Sequence, residues 1–154
     1  MNEANKDLMT NRKALHEFEI LEQFEAGIVL QGTEIKSLKI GGGSLQEAYV
    51  RVIKGEVWLV GFSIPPYKFG NVHNHEEKRD RKLLLHFREI DKLQRATQEK
   101  GLTVVPLALY MKKGLVKLRI ATARGKKLVD KRDAIKSRDE NRRMQKAMKD
   151  VKQR

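Results

Sequence analysis

The segment from residue 73 to residue 77 is the part of this sequence that comes closest to a metal site. His73 and His75 are two positions apart, so both rings point the same way in an extended segment, and two carboxylates follow at Glu76 and Glu77. These four side chains allow the hypothesis of a metal-dependent nuclease. The segment is hydrophilic and lacks a clear further ligand, however, and we interpret it as a solvated loop that binds no metal.

The motifs of common catalytic and nucleotide-binding sites are absent from the sequence. It has no P-loop, no G-x-G-x-x-G, no G-x-S-x-G and no H-E-x-x-H. The glycines at 41–43 are not followed by Lys and Ser or Thr, so they indicate a flexible turn and not a phosphate cradle. His16 and His86 are interpreted, from sequence alone, as partly buried imidazoles with hydrogen-bond partners. We therefore predict a protein that is not an enzyme and has no cofactor.

Basic side chains are the stronger signal, since 33 Lys and Arg against 20 Asp and Glu leave a formal net charge of +13. Outside the C-terminal tail, twelve of these side chains form three groups: Arg12, Lys13, Lys36 and Lys39; Lys78, Arg79, Arg81 and Lys82; and Lys112, Lys113, Lys117 and Arg119. Isolated charges of this kind are usually only solvated, but this excess indicates an anionic partner. Nucleic acid is favoured over a membrane surface, which would require a basic helix with an aromatic and aliphatic face.

Aromatic side chains, which stack on unpaired bases, are few. The chain has one Trp, three Tyr and five Phe, and several of these are needed to fill a core. Recognition of a folded RNA by its shape and phosphates is therefore favoured over a platform that stacks single-stranded bases.

The segments that must position these residues are mostly strands. Residues 1–13 are predicted to be a flexible polar arm, and residues 16–30 mostly a strand that can bend at Gly27. Thr33 is the expected N-cap of a short helix over residues 33–38. Alternating polarity on both sides of Lys54 and Gly55 predicts a hairpin of residues 48–53 and 57–62. Residues 67–82 are predicted to be a long loop.

The second half of the chain predicts further strands and one strong helix. A strand over residues 83–87 leads into a helix over residues 88–100, in which Asp91 faces Arg95 and after which Gly101 suits the C-terminal cap. Pro106, within the strand at 102–110, indicates an edge position or a bulge. A turn at 112–114 and an alternating strand through 116–120 follow. The sum is a mainly β fold, a small OB-fold-like β-barrel with two or three helices.

Residues 124–154 form a basic tail that follows the barrel of residues 1–123. The tail has thirteen Lys and Arg against five Asp and Glu, a net charge of +8, and no aromatic residue, proline or cysteine. It cannot bury enough apolar surface to fold alone, so we predict that it is disordered, or helical when bound. The absence of cysteine, of a signal peptide and of an apolar run of ~20 residues favours a cytoplasmic protein without a membrane partner.

Three long segments of the sequence resemble the small protein B (SmpB) family. They are NRKALHEFEILEQFEAGIVLQGTEIKSL, RDRKLLLH and GLTVVPLALYMKKGLVKLRIATARGKKLVDKRDAIKSRD, and together they span residues 11–138 in order. The resemblance implies an OB-fold barrel that binds the tRNA-like domain of tmRNA and delivers it to stalled ribosomes in trans-translation. It also implies a monomer without catalytic activity, whose tail probes the decoding centre of the small subunit and the empty mRNA channel.

The resemblance carries over two sets of residues. The set expected to bind tmRNA is Asn11, Arg12, His16, Glu25, Arg81, Lys82, Leu84 and His86. The set expected to bind small-subunit ribosomal RNA is Lys126, Lys127, Asp130, Lys131, Arg132, Ile135, Lys136 and Arg138. Val129 departs from the family, which often has an aromatic residue or His there, so apolar contact replaces stacking. The alternative hypothesis is a ribosomal or ribosome-assembly protein with the same barrel and tail.

Overall fold

The computed structural model describes residues 7–70 and 74–126, and these residues form seven strands and three helices. In chain order the elements are β1 (Asp7–Thr10), α1 (Arg12–Glu17), β2 (Phe18–Ile28), α2 (Gly32–Lys39), β3 (Tyr49–Ile53), β4 (Glu56–Val60), β5 (Arg81–Leu84), α3 (Phe87–Gln98), β6 (Thr103–Lys112) and β7 (Leu115–Gly125). They belong to the compact unit Met1–Arg124, whereas the second unit, Gly125–Arg154, is described only at Gly125 and Lys126. The division into residues 1–123 and 124–154 stays a prediction.

The strands form one sheet that closes on itself. Their order is β1-β6-β3-β4-β5-β2-β7, and the last strand, β7, also pairs with β6. Because this pairing is antiparallel over the length of both strands, it closes β6, β3, β4, β5, β2 and β7 into a barrel, and the short β1 adds to β6 outside that closure. The prediction of a mainly β, OB-fold-like barrel with two or three helices is confirmed.

Two tight turns set the register of the sheet. Lys54 and Gly55 have φ of 50° and 78° between β3 and β4, and Lys113 and Gly114 have φ of 52° and 79° between β6 and β7. Positive φ at both central residues is typical of the type I′ turn, whose twist matches that of the strands it joins. The predicted hairpin and the predicted turn at 112–114 are confirmed.

The other local predictions that are confirmed concern β6 and α3. The register of β6 against β7 shifts between Pro106 and Ala108, which is the bulge that the proline indicated. In α3 the side chains of Asp91 and Arg95 lie 3.2 Å apart, and Leu93 is fully buried. Gly101 follows the helix with φ of 65°.

Two groups of buried apolar residues stabilise this arrangement. The larger group fills the barrel and includes Leu59, Phe62, Leu93, Leu109 and Ile120. A smaller group packs α1 against β6 and β7 and consists of Ala14, Val105, Leu107, Ala121 and Ala123. The strands thus bury side chains towards the barrel interior and, at β6 and β7, towards α1 as well.

The predicted flexible arm is wrong for residues 7–13, and residues 1–6 lie outside the described residues. Asp7–Thr10 pairs with β6 as β1, and α1 begins at Arg12. The segment looked flexible because it has few apolar residues, but its backbone finds a partner strand more than 90 residues away in sequence. The predicted strand over 16–30 is also wrong at its start, since His16 and Glu17 are helical and β2 begins at Phe18.

Three smaller predictions are corrected as well. Helix α2 is capped by Gln31 and not by Thr33, because the Gln31 amide donates to the Glu34 carboxylate at 2.8 Å. The predicted loop ends early, since β5 begins at Arg81 and pairs with both β2 and β4. His16 and His86 are exposed and not partly buried, because each lies on or beside a helix that faces solvent.

Candidate nucleic-acid interface

An exposed carboxylate on β2 is held by two residues of β6. The hydroxyl of Tyr110 donates to Glu25 Oε2 at 2.5 Å, and Lys112 Nζ lies 3.3 Å from both carboxylate oxygens. The hydrogen bond from Tyr110 and the charge of Lys112 lower the pKa of Glu25 below its ordinary value, against a smaller opposing effect of burial. Glu25 is therefore an ionised acceptor whose carboxylate is fixed in place at the surface.

Tyr110 is itself fixed by burial and by a stacked cation. Its side chain is buried, and burial together with the bond to Glu25 raises the pKa of its phenol far above the ordinary value. The guanidinium of Arg119, on β7, lies 4.8 Å from the centre of the Tyr110 ring. The sequence did not predict the contact between Tyr110 and Glu25, because the two residues are 85 positions apart and local patterns do not indicate such a contact.

Leu84 and Lys82 share the outer face of the barrel with Glu25. Leu84 pairs with Gly27 across the β2–β5 ladder, and side chains two positions apart on a strand point to the same side. Glu25 and Gly27 on β2, and Lys82 and Leu84 on β5, therefore all face outward. Leu84 is exposed to 54%, and Lys82 is 3.4 Å from the carboxylate of Glu56 in an exposed ion pair. The structure places these three predicted residues on one face of the barrel.

His86 lies at the start of α3, directly after this strand. Its backbone amide donates to Glu89 Oε1 at 3.0 Å, and its carbonyl accepts from the amide of Glu89 at 2.9 Å. The next residue, Phe87, is exposed to 83%, the highest value among the exposed large apolar residues, and Arg88 is exposed beside it. Sequence reasoning placed Phe87 in a strand and missed its exposure.

Arg12 and His16 lie on α1, one helical turn apart, and both are exposed. Their helix is held on the barrel by Asn11, which the sequence placed in the same RNA-binding set. Asn11 is only 2% exposed. Its Nδ2 donates to the carbonyls of Leu45 and Pro106 at 3.2 and 2.9 Å, and its Oδ1 accepts from the amide of Ala14 at 3.2 Å. The polar atoms of Asn11 are thus buried and bonded to the protein, and its contact with RNA stays a prediction.

Arg81 is also buried, and its contact with RNA stays a prediction. Its side chain is fully buried and forms an ion pair with Glu34 of α2, which is fully buried too. Nε donates to Glu34 at 2.8 Å, Nη1 donates to the carbonyls of Phe62 and Arg79 at 2.6 and 2.9 Å, and Nη2 donates to that of Glu77 at 3.2 Å. No guanidinium donor remains for a phosphate, so Arg81 holds the loop before β5 to the barrel.

Glu34 is the centre of this buried anchor. It accepts from Arg79 Nε at 3.0 Å and Nη2 at 2.9 Å, as well as from Arg81 and from the amide of Gln31. Burial alone would raise the pKa of Glu34, but the hydrogen bonds from Arg79, Gln31 and Arg81 outweigh it, and the pKa lies below the ordinary value. Glu34 is therefore ionised and fully paired inside the protein.

The predicted solvated loop is wrong at His75, and His73 lies outside the described residues. His75 is 6% exposed. Its Nδ1 is 2.8 Å from the hydroxyl of Thr33, and its Nε2 is 2.9 Å from the carbonyl of Ile64. Both ring nitrogens therefore have protein partners, and neither is available to a metal. Within residues 7–70 and 74–126 no group of three or more potential ligands is placed to hold a metal ion.

Of the residues predicted for the tail, only Lys126 is described, and it is exposed. The others lie outside the described residues, as does Val129: Lys127, Asp130, Lys131, Arg132, Ile135, Lys136 and Arg138. Their roles stay predictions. None of the helices in the described part of the chain has the length and apolar character to cross a bilayer.

Comparison with known proteins adds three findings to this geometry. The family model described as SmpB protein matches residues 8–150. A relative from Protochlamydia amoebophila (strain UWE25), named SsrA-binding protein, is 60% identical over 149 residues that cover 97% of each chain. A second SsrA-binding protein, from Chlamydia muridarum (strain MoPn / Nigg), is 56% identical and covers 94% of this chain and 95% of the relative.

A solved structure resembles the fold as well as the sequence. It is described as "tmRNA-SmpB: a journey to the center of the bacterial ribosome", and its matching chain is 42% identical to this one. The superposition has a TM-score of 0.68 and covers 82% of this chain and 93% of the other. Sequence and fold thus agree on the same group of proteins.

Proposed function

This chain belongs to the SmpB protein family, and on that premise we propose that it is an RNA-binding adaptor of trans-translation. It binds the tRNA-like domain of tmRNA and delivers it to stalled ribosomes. The observation that carries this proposal is the 60% identity, over 97% of each chain, with a relative named SsrA-binding protein. The solved tmRNA–SmpB structure, which covers 82% of this chain, supports the same partner.

The surface around Glu25 fits this role. A fixed, ionised carboxylate accepts hydrogen bonds from donors on an exposed base edge or from a 2′-hydroxyl, and both are accessible in a folded RNA. Lys112 lies beside it and, with Lys82 further along the same face, neutralises phosphates, while Leu84 offers an apolar contact. We assign direct RNA contact to the members of the predicted set that are not buried, which are Arg12, His16, Glu25, Lys82, Leu84 and His86.

Asn11 and Arg81 act as positioning residues in this proposal. Asn11 holds α1, and hence Arg12 and His16, on the barrel through its bonds to Leu45 and Pro106. Arg81 begins the strand that presents Lys82 and Leu84, and its ion pair with Glu34 fixes the start of that strand. Their replacement therefore changes RNA binding only through the fold.

The basic tail has a separate task. Residues 124–154 carry a net charge of +8, which attracts them to ribosomal RNA, and they read the decoding centre and the empty mRNA channel. Lys126, Lys127 and the Asp130-Lys131-Arg132 motif begin this segment. The protein acts in the cytoplasm, as a monomer and without catalysis of its own.

A titration that compares RNAs tests the partner. The full-length chain is mixed with tmRNA, bulk tRNA or ribosomal RNA at one salt concentration, and the complexes are resolved by gel shift. We expect the tightest binding to tmRNA. Equal affinity for all three RNAs would contradict the proposal and favour a ribosomal or ribosome-assembly protein.

A truncation that ends at Ala123 tests the division between barrel and tail. We expect the truncated chain to retain most of its affinity for tmRNA, because the contact surface lies on the barrel. Peptide tagging on stalled ribosomes should be lost, since the tail is missing. Equal loss of both activities would contradict separate roles.

A further inference from the structure

Two aromatic side chains lie together at the surface, outside the residues assigned to tmRNA. Tyr67 and Phe69 are in the loop between β4 and β5, with ring centres 5.4 Å apart and ring planes at 72°. Phe69 is exposed to 74%, and neither ring belongs to the two buried apolar groups of the described residues. The two rings therefore form a contiguous aromatic patch at the surface, in a chain with only nine aromatic residues.

Each ring of this pair has a lysine over it. Lys36 Nζ of α2 is 5.8 Å from the centre of the Tyr67 ring, and Lys68 Nζ is 5.8 Å from that of Phe69. The ion pairs found among residues 7–70 and 74–126 include neither lysine. The pair therefore combines flat apolar faces with positive charge that no carboxylate of the described chain neutralises.

The backbone that carries the rings is fixed by side chains. Asn74 Oδ1 accepts from the amide of Tyr67 at 3.1 Å, and Asn74 Nδ2 donates to its carbonyl at 2.7 Å. The Gly70 amide donates to the same carbonyl at 2.8 Å, which closes a turn around Lys68 and Phe69. A β-carbon on Gly70 would lie 2.5 Å from Asn74 Nδ2, so glycine permits this close approach.

The preceding prolines are fixed in the same way. The carbonyl of Pro65 accepts from Ser37 Oγ at 2.8 Å and lies 3.1 Å from Nε2 of the buried His75. The backbone that carries the rings is thus already ordered without a ligand. Binding therefore does not incur the entropy cost of ordering this turn.

We propose that Tyr67 and Phe69, with Lys36 and Lys68, bind an unpaired nucleotide of RNA. The base stacks on the exposed ring of Phe69, and the two lysines neutralise the phosphates on either side of it. The proposal rests on the RNA-binding function proposed above and adds to it a stacking contact that does not involve the surface around Glu25. It also qualifies the expectation from composition that RNA is read by shape and phosphate alone.

A fluorescent base tests the stacking contact. The full-length chain is titrated into a short single-stranded RNA that contains 2-aminopurine, whose fluorescence is quenched when it stacks. We expect the Phe69→Ala variant to lose most of the quenching and to bind about 5- to 100-fold more weakly, the range found when one stacking aromatic is removed. Phe69→Tyr keeps a ring and should restore both properties.

Tyr49→Ala is the matched control. Tyr49 is exposed to 44% on β3, and no ring or cation of the described residues is stacked on it. We expect this variant to quench and bind as the unaltered chain does. Unchanged quenching in Phe69→Ala, or equal loss in Tyr49→Ala, would overturn the proposal, provided circular dichroism shows that the variants are folded.

Two further arms identify the source of the nucleotide. Phe69→Ala is titrated against tmRNA and against small ribosomal subunits. Weaker binding than that of the unaltered chain in either titration supports the proposal and identifies the RNA that supplies the nucleotide. If Phe69→Ala binds both tmRNA and small ribosomal subunits as tightly as the unaltered chain does, the proposal is overturned for the physiological partner. His86→Ala, titrated against tmRNA in parallel, reports on the surface around Glu25, so failure of the stacking contact and failure of the proposed function are distinguishable.

Discussion

Glu25 and Glu34 are nine positions apart, and basic side chains bind both, but one lies on the outer face of the barrel and the other inside it. Both have a lowered pKa, and both are ionised at neutral pH. Glu25 leaves part of its carboxylate exposed beside Lys112, whereas Glu34 is enclosed by Arg79 and Arg81. The same pairing of charges thus leaves an accessible carboxylate in one region and forms an anchor of the fold in the other.

The difference follows from what surrounds each pair. An exposed charge that is fixed by neighbours can still exchange water for a ligand, because it keeps accessible lone pairs. A buried charge whose hydrogen bonds are all made cannot do so without breaking the fold. Residues from one basic sequence cluster therefore divide between the two roles, with Lys82 at the surface and Arg81 inside.

The largest expected effect is from Arg81→Ala. It leaves the carboxylate of Glu34 buried with fewer partners, and loss of one member of a buried pair costs about 3–5 kcal/mol in the free energy of unfolding. Urea denaturation measures this loss. Lys82→Ala, next to it in β5, is the control and should change stability by less than about 1 kcal/mol, because its ion pair is exposed. An Arg81→Ala variant as stable as the unaltered chain would contradict the anchor.

Asn11→Ala should have the second largest effect. It removes an N-cap and leaves the carbonyls of Leu45 and Pro106 without their donor, so we expect a loss of about 2 kcal/mol. Thermal unfolding gives the stability, and a gel shift gives the affinity for tmRNA. If Asn11→Ala weakens RNA binding at full stability, its side chain contacts RNA and the assignment made from burial is wrong.

Glu25→Gln should affect binding more than stability. It keeps the shape of the side chain but removes the charge that Tyr110 and Lys112 hold, and we expect about tenfold weaker binding to tmRNA. The unfolding free energy should change by less than about 1 kcal/mol. Glu47→Gln, at an exposed pair with Lys13, is a control for general charge effects. Equal weakening in both variants would indicate that net charge alone accounts for the affinity.

The smallest expected effect is a change with pH in the free energy of unfolding, which comes from the titration of Glu34. The folded-state pKa of Glu34 lies below its ordinary value of 4.5, so its contribution to stability is present above that value. The contribution decreases as the pH falls through the folded pKa, by at most about 1.4 kcal/mol per pH unit. The stability difference between the unaltered chain and Glu34→Gln should therefore narrow in acid, as followed by urea denaturation from neutral pH downward. A difference that widens in acid would contradict an ionised, fully paired Glu34.

Much of the fold was predictable because its signals are local. The hairpin at Lys54 and Gly55, the bulge at Pro106 and the helix capped near Gly101 all depend on residues within a few positions of one another. The first strand was not predictable in this way. Asp7–Thr10 is only four residues long, and its pairing with β6 and the packing of Leu8 and Met9 against the core involve residues far away in sequence.

The candidate site was predictable in its members but not in their roles. The family motifs indicated eight RNA-binding residues, but the sequence does not show which of them are buried and which are exposed. Burial separates Asn11 and Arg81 from the exposed members of that set, and the contact between Glu25 and Tyr110 adds a residue that no motif suggested. The sequence placed Tyr67 and Phe69 in a predicted loop, and only the structure shows that their rings lie together at the surface.

The sequence by itself determined the family, the mainly β barrel and the excess of positive charge, because motifs, alternation and composition are properties of the chain in order. Only the tertiary structure decided which charges face solvent and which hold the barrel together. The physical reason is that desolvation and hydrogen bonding depend on neighbours from distant parts of the chain. Arg81 meets Glu34 across 47 positions, and Glu25 meets Tyr110 across 85.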